Sequence, residues 1–275
     1  MRSWLCIFLL FCAILGSSQS YKIVTYNIRL SLASDSANAW ENRKDNVASM
    51  LQFYEPDIFG IQEGLPEQVD YLDENLKSYA YLGVGRDDGA RKGEFSAIYF
   101  NENRVKLIEG HTFWLSLTPD YPSKGWDAAL PRICTYGLFE DVNTENQFWV
   151  FNTHFDHIGE TARLESVKLI LHKMAKINEK KLPAILMGDL NLTPDQEPIK
   201  ELFRNMNDSR TASKTTPYGP IGTWNGFNFN ATLDRRIDYI AVNEKITVNK
   251  YAVLTDSANQ NYLSDHLPVF VEVFF

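Results

Sequence analysis

Two stretches rich in β-branched and aromatic residues, "ICTYGLFED" (133–141) and "QFWVFNTHF" (147–155), are separated only by a short polar run centred on Asn143-Thr144-Glu145. So short a connection cannot hold a crossover helix, so the two strands must pair antiparallel as a hairpin. A sandwich therefore fits better than a doubly wound parallel sheet. Further strand patterns recur along the chain: "YKIVTYNI", "PDIFGIQE", "FSAIYF", "RVKLIEG", "LPAILMGDL", "RRIDYIAV", "YAVLTD" and "LPVFVEVFF". Helical spacing is confined to Trp40, Val47, Met50, Leu51 and Tyr54, to Val69, Leu72 and Leu76 after Pro66, and to Val167, Ile170, Leu171, Met174 and Ile177 within 161–180;. A long loop spans 116–131. Strands flanked by helices occur before about residue 140 and again after it, with no Pro/Gly/Ser linker between. The pattern predicts an α/β fold, a two-layer sandwich of sheets with helices outside, built as one domain over 21–275 from two similar halves.

Polar residues interrupt this apolar pattern at the strand ends. Asn27 follows "KIVTY", Glu63 follows "DIFGIQ", His154 and Asp156 close "FWVFNT", Asp189 and Asn191 follow "AILMG", and Asp265-His266 precede the last strand. Strand ends of a sandwich can converge on one rim. In extended backbone, residues two apart face the same way, so Asp189 and Asn191 would address one site while Leu190 turns inward. Each residue also has a plain structural explanation. Asn27 could cap a loop, Glu63 could be an acid at a helix entry, Asp189 and Asn191 could form an Asx turn, and Asp265-His266 could be a loop salt bridge. Together they supply acids, amides and imidazoles suited to phosphoester hydrolysis, which needs a neutralised phosphate, a positioned nucleophile and a donor for charge developing at phosphorus.

The segments "TYNIR", "GIQE", "NTHFD", "GDLN", "RRIDYI" and "SDHLPV", in this order along the chain, resemble the endonuclease/exonuclease/phosphatase superfamily of DNase I-like enzymes. "GDLN" paired with a terminal "SDHLPV" is the specific part of the match. "GRDDGARKGEFSAIYF" and "TFWLSLTPDYPSKGWDAALPR" are most similar to a small secreted bacterial branch of metal-dependent hydrolases. The resemblance implies a four-layered α-β-β-α sandwich and a division of labour within the site. Glu63 binds a divalent cation, with Asn27 and Asp265 in or near its shell. Asp189, helped by Asn191, orients or deprotonates the attacking water. His266 stabilises the transition state, with Asp238 fixing its tautomer, and His154 contacts the phosphoryl oxygens. Oxygen ligands favour Mg²⁺ or Mn²⁺.

Arg86, Arg132 and Arg163 lie in or beside rim loops as candidates to hold substrate phosphate, and each could equally form a surface salt bridge. Trp126 and Trp224, in "SKGWDAALP" and "GTWNGFNFN", could stack on a sugar or base or pack into the core;. A competing metal reading comes from "NTHFDH", whose His154, Asp156 and His157 match part of a zinc pattern in which Asn152 replaces the first ligand. The fold and motifs are also compatible with a secreted nuclease, with a sphingomyelinase-like lipid hydrolase and with a binding module that has no catalytic activity.

Residues 1–20, "MRSWLCIFLLFCAILGSSQS", carry Arg2 ahead of an apolar run that is too short for a membrane span and is followed by small residues;. They read as an export signal cut near Ser20, giving a secreted or periplasmic protein. Cleavage would leave Cys134 as the lone cysteine, hence no internal disulfide;. It would remove one basic residue and no acid, moving the net charge from −8 to −9. No Lys/Arg run exceeds a pair, so long nucleic acid is disfavoured as substrate. The expected partner is a small or glycan-linked phosphoester, and the expected oligomeric state is a monomer.

Overall fold

A computed structural model of the chain describes residues 19–275. The expected export signal falls outside them but for its last two positions. The elements run in the order β1 (Ser20–Asn27), α1 (Trp40–Tyr54), β2 (Ile58–Gln62), α2 (Pro66–Asn75), β3 (Tyr79–Leu82), β4 (Ile98–Asn101), β5 (Val105–Trp114) and β6 (Ile133–Asp141). They continue with β7 (Gln147–His154), α3 (Glu160–Ile177), β8 (Ala184–Asp189), α4 (Glu197–Asn205), β9 (Asn207–Asp208), α5 (Ser209–Ala212), β10 (Asp238–Val242), β11 (Thr247–Val253), β12 (Ser257–Ala258), β13 (Asn261–Tyr262) and β14 (Val269–Phe274).

Two six-stranded sheets, ordered β11-β14-β1-β2-β4-β3 and β5-β6-β7-β8-β10-β9, pack face to face. Alternation along the strands explains the layering. In β1, Tyr21 and Ile23 point between the sheets while Val24 and Tyr26 point outward beneath α1 and α2. In β8, Ile185 and Met187 enter the same inter-sheet core while Ala184 and Leu186 face α3 and α4. Each fully buried side chain of this size contributes about 1.5–3 kcal/mol. The result is a four-layered α-β-β-α sandwich. Among the described residues, no helix is long and apolar enough to cross a membrane.

The sheets do not divide at residue 140. β5 and β6 join the second sheet, and β11 and β14 return to the first, where β14 pairs antiparallel with β1. Val269, Val271 and Val273 thereby enter the inter-sheet core, a destination that their alternation permits but does not specify. The pattern of hydrophobic residues also passes over α4 and the half-buried edge strand β3. Within the sandwich, each sheet has one parallel pair: β1 with β2 and β7 with β8. Helices α1 and α3 make the two crossovers, so the C-terminal ends of four strands open on one rim. Beneath that rim the sheets are tied by Gln62 Nε2, which donates to Thr25 Oγ1 (3.0 Å) and Asn152 Oδ1 (2.7 Å).

Candidate active site

Asn27 ends β1, Glu63 follows β2, His154 ends β7 and Asp189 ends β8, directly opposite both His154 and the first residue of β10, Asp238. Asp265 and His266 lead into β14, and His266 bridges to Trp224. The resulting cleft holds about 380 Å³ and is lined by Arg29, Leu30, Glu63, Glu94, Leu130, Arg132, His154, His157, Asp189, Asn191, Trp224, Asp265 and His266.

The "GDLN" turn places its acid and amide by a route other than strand alternation. Asn191 has φ 52°, and its backbone N–H donates to Asp189 Oδ1 at 2.9 Å, so an Asx turn folds the pair into the cleft while Leu190 is buried;. Gly188 permits the approach: a Cβ there would sit 1.9 Å from the Thr153 carbonyl oxygen, and its φ is +148°;. Glu63 also adopts a left-handed backbone, φ 63°, an outlier for that residue type that turns its carboxylate toward the cleft;.

Asn27 Nδ2 bridges the two acids, donating to Glu63 Oε1 at 2.9 Å and to Asp189 Oδ2 at 3.0 Å. Its Oδ1 accepts from Arg29 N at 3.0 Å, and Leu30 N donates to Glu63 Oε2 at 3.1 Å. Asn27 thus holds the carboxylates with its amide hydrogens, and its oxygen is already engaged. Ser264 Oγ donates to the Asn27 carbonyl oxygen at 2.7 Å, joining the end of β1 to the Asp265 segment.

His266 Nδ1 lies 2.9 Å from Asp238 Oδ2, and its Nε2 lies 3.7 Å from Asp189 Oδ2. Burial alone would lower the His266 pKa, but the charges of Asp238 and Asp189 together with the Asp238 hydrogen bond raise it well above the ordinary histidine value;. Asp189 is pushed up to about 7 by burial and by the Asp238 charge, against the pull of His266 and the bonds from Asn191 and Asn27. His154 moves the opposite way from His266: burial, with Arg132 and Arg86 adding to it, holds its pKa well below the usual range. Asn191 Nδ2 lies 3.1 Å from His154 Nε2 and donates to the Phe155 carbonyl at 3.0 Å. A neutral His154 accepting from Asn191 carries its proton on Nδ1.

Glu63, His154 and Asp189 each place one donor atom within 4.8 Å of the others, as do Asp189, Asp238 and His266. The second set is closed by its own hydrogen bond. The first opens on the cleft, with Asp265 on the same wall. Burial, opposed by His266 but reinforced by Glu63, raises the Asp265 pKa. Such a concentration of partly desolvated carboxylates fits a hard divalent cation.

Several residues singled out in the sequence lie elsewhere. Arg163 is buried, donates from Nη1 to the Asp156 carbonyl at 3.3 Å and borders a separate hollow, so it holds a loop and does not face the cleft. Trp126 is half-buried in the 116–131 loop and does not line the cleft. Arg86 sits one layer behind, its Nη1 on Glu94 Oε2 at 2.6 Å. Arg132 and Trp224 do line the cleft. Glu94, His157 and Arg29 also line it; they fall in "GRDDGARKGEFSAIYF", "NTHFDH" and "TYNIR", but the sequence assigns none of them to this site. The zinc pattern fails because its members diverge: Asp156 Oδ1 accepts from Ile158 N (3.0 Å) and Gly159 N (2.8 Å), and His157 is exposed against Arg132 Nη2 at 3.1 Å.

Residues 24–266 match the model of the Endonuclease/Exonuclease/phosphatase family. The fold is similar to that of a mannosyl-6-phosphatase from Bacteroides thetaiotaomicron, at 42% identity and TM-score 0.90 over 93% of this chain and 100% of that one. A family protein from Bacteroides vulgatus is 33% identical, with TM-score 0.88 over 93% of this chain and 98% of that one. An uncharacterised protein of Acanthamoeba polyphaga mimivirus is 28% identical over 249 residues, 84% of this chain and 91% of that one. The chain therefore belongs to the endonuclease/exonuclease/phosphatase family and is a phosphoester hydrolase of the DNase I-like fold.

Proposed function

We propose that the protein hydrolyses a phosphomonoester of a small, hydroxyl-rich alcohol such as a sugar 6-phosphate, releasing inorganic phosphate. The observation that carries this reading is the shape of the cleft: about 380 Å³, walled by Glu94 and Arg132 close behind His154. That volume suits a phosphoryl group and one ring, whereas a polynucleotide needs an open cationic track. The 42% identity to a mannosyl-6-phosphatase supports the same substrate class.

In this reading Glu63 holds a divalent cation, Mg²⁺ or Mn²⁺, with Asp265 beside it and Asn27 positioning the carboxylate. The bound ion would neutralise charge on the phosphoryl oxygens. Asp189 orients the attacking water and accepts its proton, a task suited to a carboxylate whose pKa is raised to about 7;. Asn191 fixes Asp189 through the turn. His266, held protonated by Asp238, presents Nε2–H to the charge that grows on the phosphoryl oxygens. His154, neutral and with Nε2 engaged by Asn191, stands beside those oxygens on the opposite side without donating to them, and Arg132 and Trp224 line the approach. The new P–O bond forms as the ester P–O bond breaks, and the departing alkoxide takes a proton from water at the mouth and leaves as the alcohol.

We place the protein outside the cytoplasm on the strength of its N-terminal segment;. The full burial of Tyr21 in the core supports a cut ahead of it. N-terminal sequencing of exported protein should begin within a few residues of Tyr21, and a mature form retaining Trp4 would overturn the assignment. The catalytic reading is tested by phosphate release with Mg²⁺ and with Mn²⁺ from mannose 6-phosphate, an aryl phosphodiester and an oligodeoxynucleotide. Monoester turnover that chelation abolishes supports it. A larger kcat/KM for the diester or the oligonucleotide refutes it.

A further inference from the structure

Arg43, on α1, carries its charge into the interior: it is 4% exposed, and its hydrogen bonds go to backbone carbonyl oxygens, none to a carboxylate. Nε donates to Asn38 at 2.8 Å, Nη1 to Ile28 and, at 3.1 Å, to Leu263, and Nη2 to Arg29 at 2.8 Å. The guanidinium also lies against the rings of Trp40 and Phe227, 5.2 and 5.6 Å from their centroids. Burying a charge without an opposite charge to meet it is costly, whereas an apolar side chain would pack α1 against the sheet without that cost. What the charge grips is the back of the catalytic rim.

The C=O and N–H of a trans peptide point in opposite directions, so a peptide held by its oxygen aims its N–H the other way. The peptide joining Ile28 to Arg29 gives its oxygen to Arg43 and its N–H to Asn27 Oδ1 at 3.0 Å. The next peptide, Arg29 to Leu30, gives its oxygen to Arg43 and to Gln68 Nε2 (2.9 Å), and its N–H to Glu63 Oε2 at 3.1 Å. Arg29 takes φ 59°, a left-handed backbone that sets both oxygens on one side and both N–H groups on the other;. The Leu263 oxygen immediately precedes Ser264, whose Oγ holds the Asn27 carbonyl at 2.7 Å, and Asp265 follows. Phe227 belongs to the loop whose Asn225 and Gly226 N–H groups donate to the Asp265 carbonyl at 2.8 and 3.1 Å. These contacts converge on Asn27, Glu63 and Asp265.

We infer that Arg43 is a positioning residue for the cation site: by gripping the Ile28 and Arg29 carbonyls it fixes the two N–H groups that set the Asn27 amide and the Glu63 carboxylate. This rests on Glu63 as the cation's ligand in the reading above. Groups that orient a metal's ligands without touching the ion govern affinity through the ligand's aim. Hydrogen bonds in series also polarise one another, so a cation on the carbonyl strengthens the N–H that Glu63 receives.

The test measures Mn²⁺ binding directly, from the paramagnetic resonance signal of the free ion over chelator-stripped protein, and so reads no turnover. Wild type is compared with Arg43→Met, Arg43→Lys, Glu63→Gln and the Arg43→Lys/Glu63→Gln double variant, at a temperature where near-ultraviolet circular dichroism shows each folded. Arg43→Met should weaken Mn²⁺ binding about 10–100-fold. Arg43→Lys, which keeps the charge and loses the planar fork, should weaken it about 10-fold. In the Glu63→Gln background the lysine should cost little more, because Arg43 acts through that carboxylate. If Arg43→Met does not fold, Arg43→Lys and the double variant carry the test. Wild-type affinity in Arg43→Lys beside a weakened Glu63→Gln refutes the positioning role and leaves the cation reading intact. A loss from Arg43→Lys that is undiminished in the Glu63→Gln background refutes it too, since it marks a general loosening of the fold. Glu63→Gln that binds as tightly as wild type overturns both.

Discussion

The cleft has two ends, each built around a buried histidine, and the two histidines are driven to opposite charge states. At one end His266 faces Asp238 at 2.9 Å and Asp189 at 3.7 Å, and its pKa is raised well above normal. At the other end burial, then Arg132 and Arg86, depress His154 well below normal. Both rings are about equally buried, 5% and 6% exposed, so burial does not separate them; the sign of the neighbouring charge does;. In the proposed mechanism, the His266 end is the charged one, in which anions and an imidazolium would face the phosphoryl group. The neutral His154 end would stand between it and the side of the cleft where the alcohol sits.

The comparison is broken most easily at the acid the two ends share. Asp189→Asn should lower turnover about 10⁴-fold, the upper range for a positioned base, and saturating Mg²⁺ or Mn²⁺ should not restore it. Glu63→Gln should instead weaken metal affinity, so that excess cation recovers part of its activity. Metal titrations of both variants decide this. Equal rescue of Asp189→Asn would mean that "GDLN" holds the ion and that the His266 end is organised differently.

Next in size is the imidazolium itself. His266→Ala should cost about 10³-fold in turnover, Asp238→Asn nearly as much, and the double variant little more, because the carboxylate acts only through the ring. Additive losses would separate the two residues. His154→Gln, which exchanges one neutral polar group for another, should cost only about 10-fold. A loss as large as that of His266→Ala would show that His154 also works as a cation and would erase the difference between the ends.

The two ends also differ in how far the sequence reveals them. Asn27, Glu63, Asp189, Asp238, Asp265 and His266 stand at or next to strand termini, where local chain direction is set by alternation and pairing, and the fold brings all six together. The Glu94 end is carried by loops. Nothing local tells that Arg86 turns back onto Glu94 or that Arg163 holds the Asp156 carbonyl, because a loop's course is fixed by distant partners. Trp126 and Arg163 stand near the rim by their place in the chain, yet neither lines the cleft, Arg163 being turned onto the Asp156 carbonyl. The same limit applies to the fold. The strands of "LPVFVEVFF" and "YAVLTD" are legible as strands, but their return to the first sheet depends on which edge is free. In "GDLN", strand alternation predicts the shared direction of the acid and the amide, and an Asx turn is what produces it.

The smallest expected effect concerns what holds the loop-built end in place. Asp156 is 2% exposed and gathers Ile158 N and Gly159 N on one oxygen, with Leu130 N (3.3 Å) and Arg132 Nε (3.4 Å) on the other. Burial pushes its pKa up, but the bonds from Gly159, Ala129 and Ile158 and the charge of Arg132 overcome this and hold it well below the usual carboxylate range. A carboxylate with a depressed native pKa stabilises the fold at every pH above its unfolded value of about 3.9, and that contribution fades as pH falls toward the native value. Asp156→Ala should therefore cost about 1–3 kcal/mol at neutral pH, seen as a fall in Tm of about 2–4 °C per kcal/mol. The gap between wild type and variant should narrow steadily below about pH 4. Because Arg132, which lines the cleft, would lose its anchor, the variant's kcat/KM for mannose 6-phosphate should fall, while the metal titration stays close to that of wild type. A variant that loses its response to metal along with its turnover would show that the two ends are one structural unit, and the contrast drawn between them would fail.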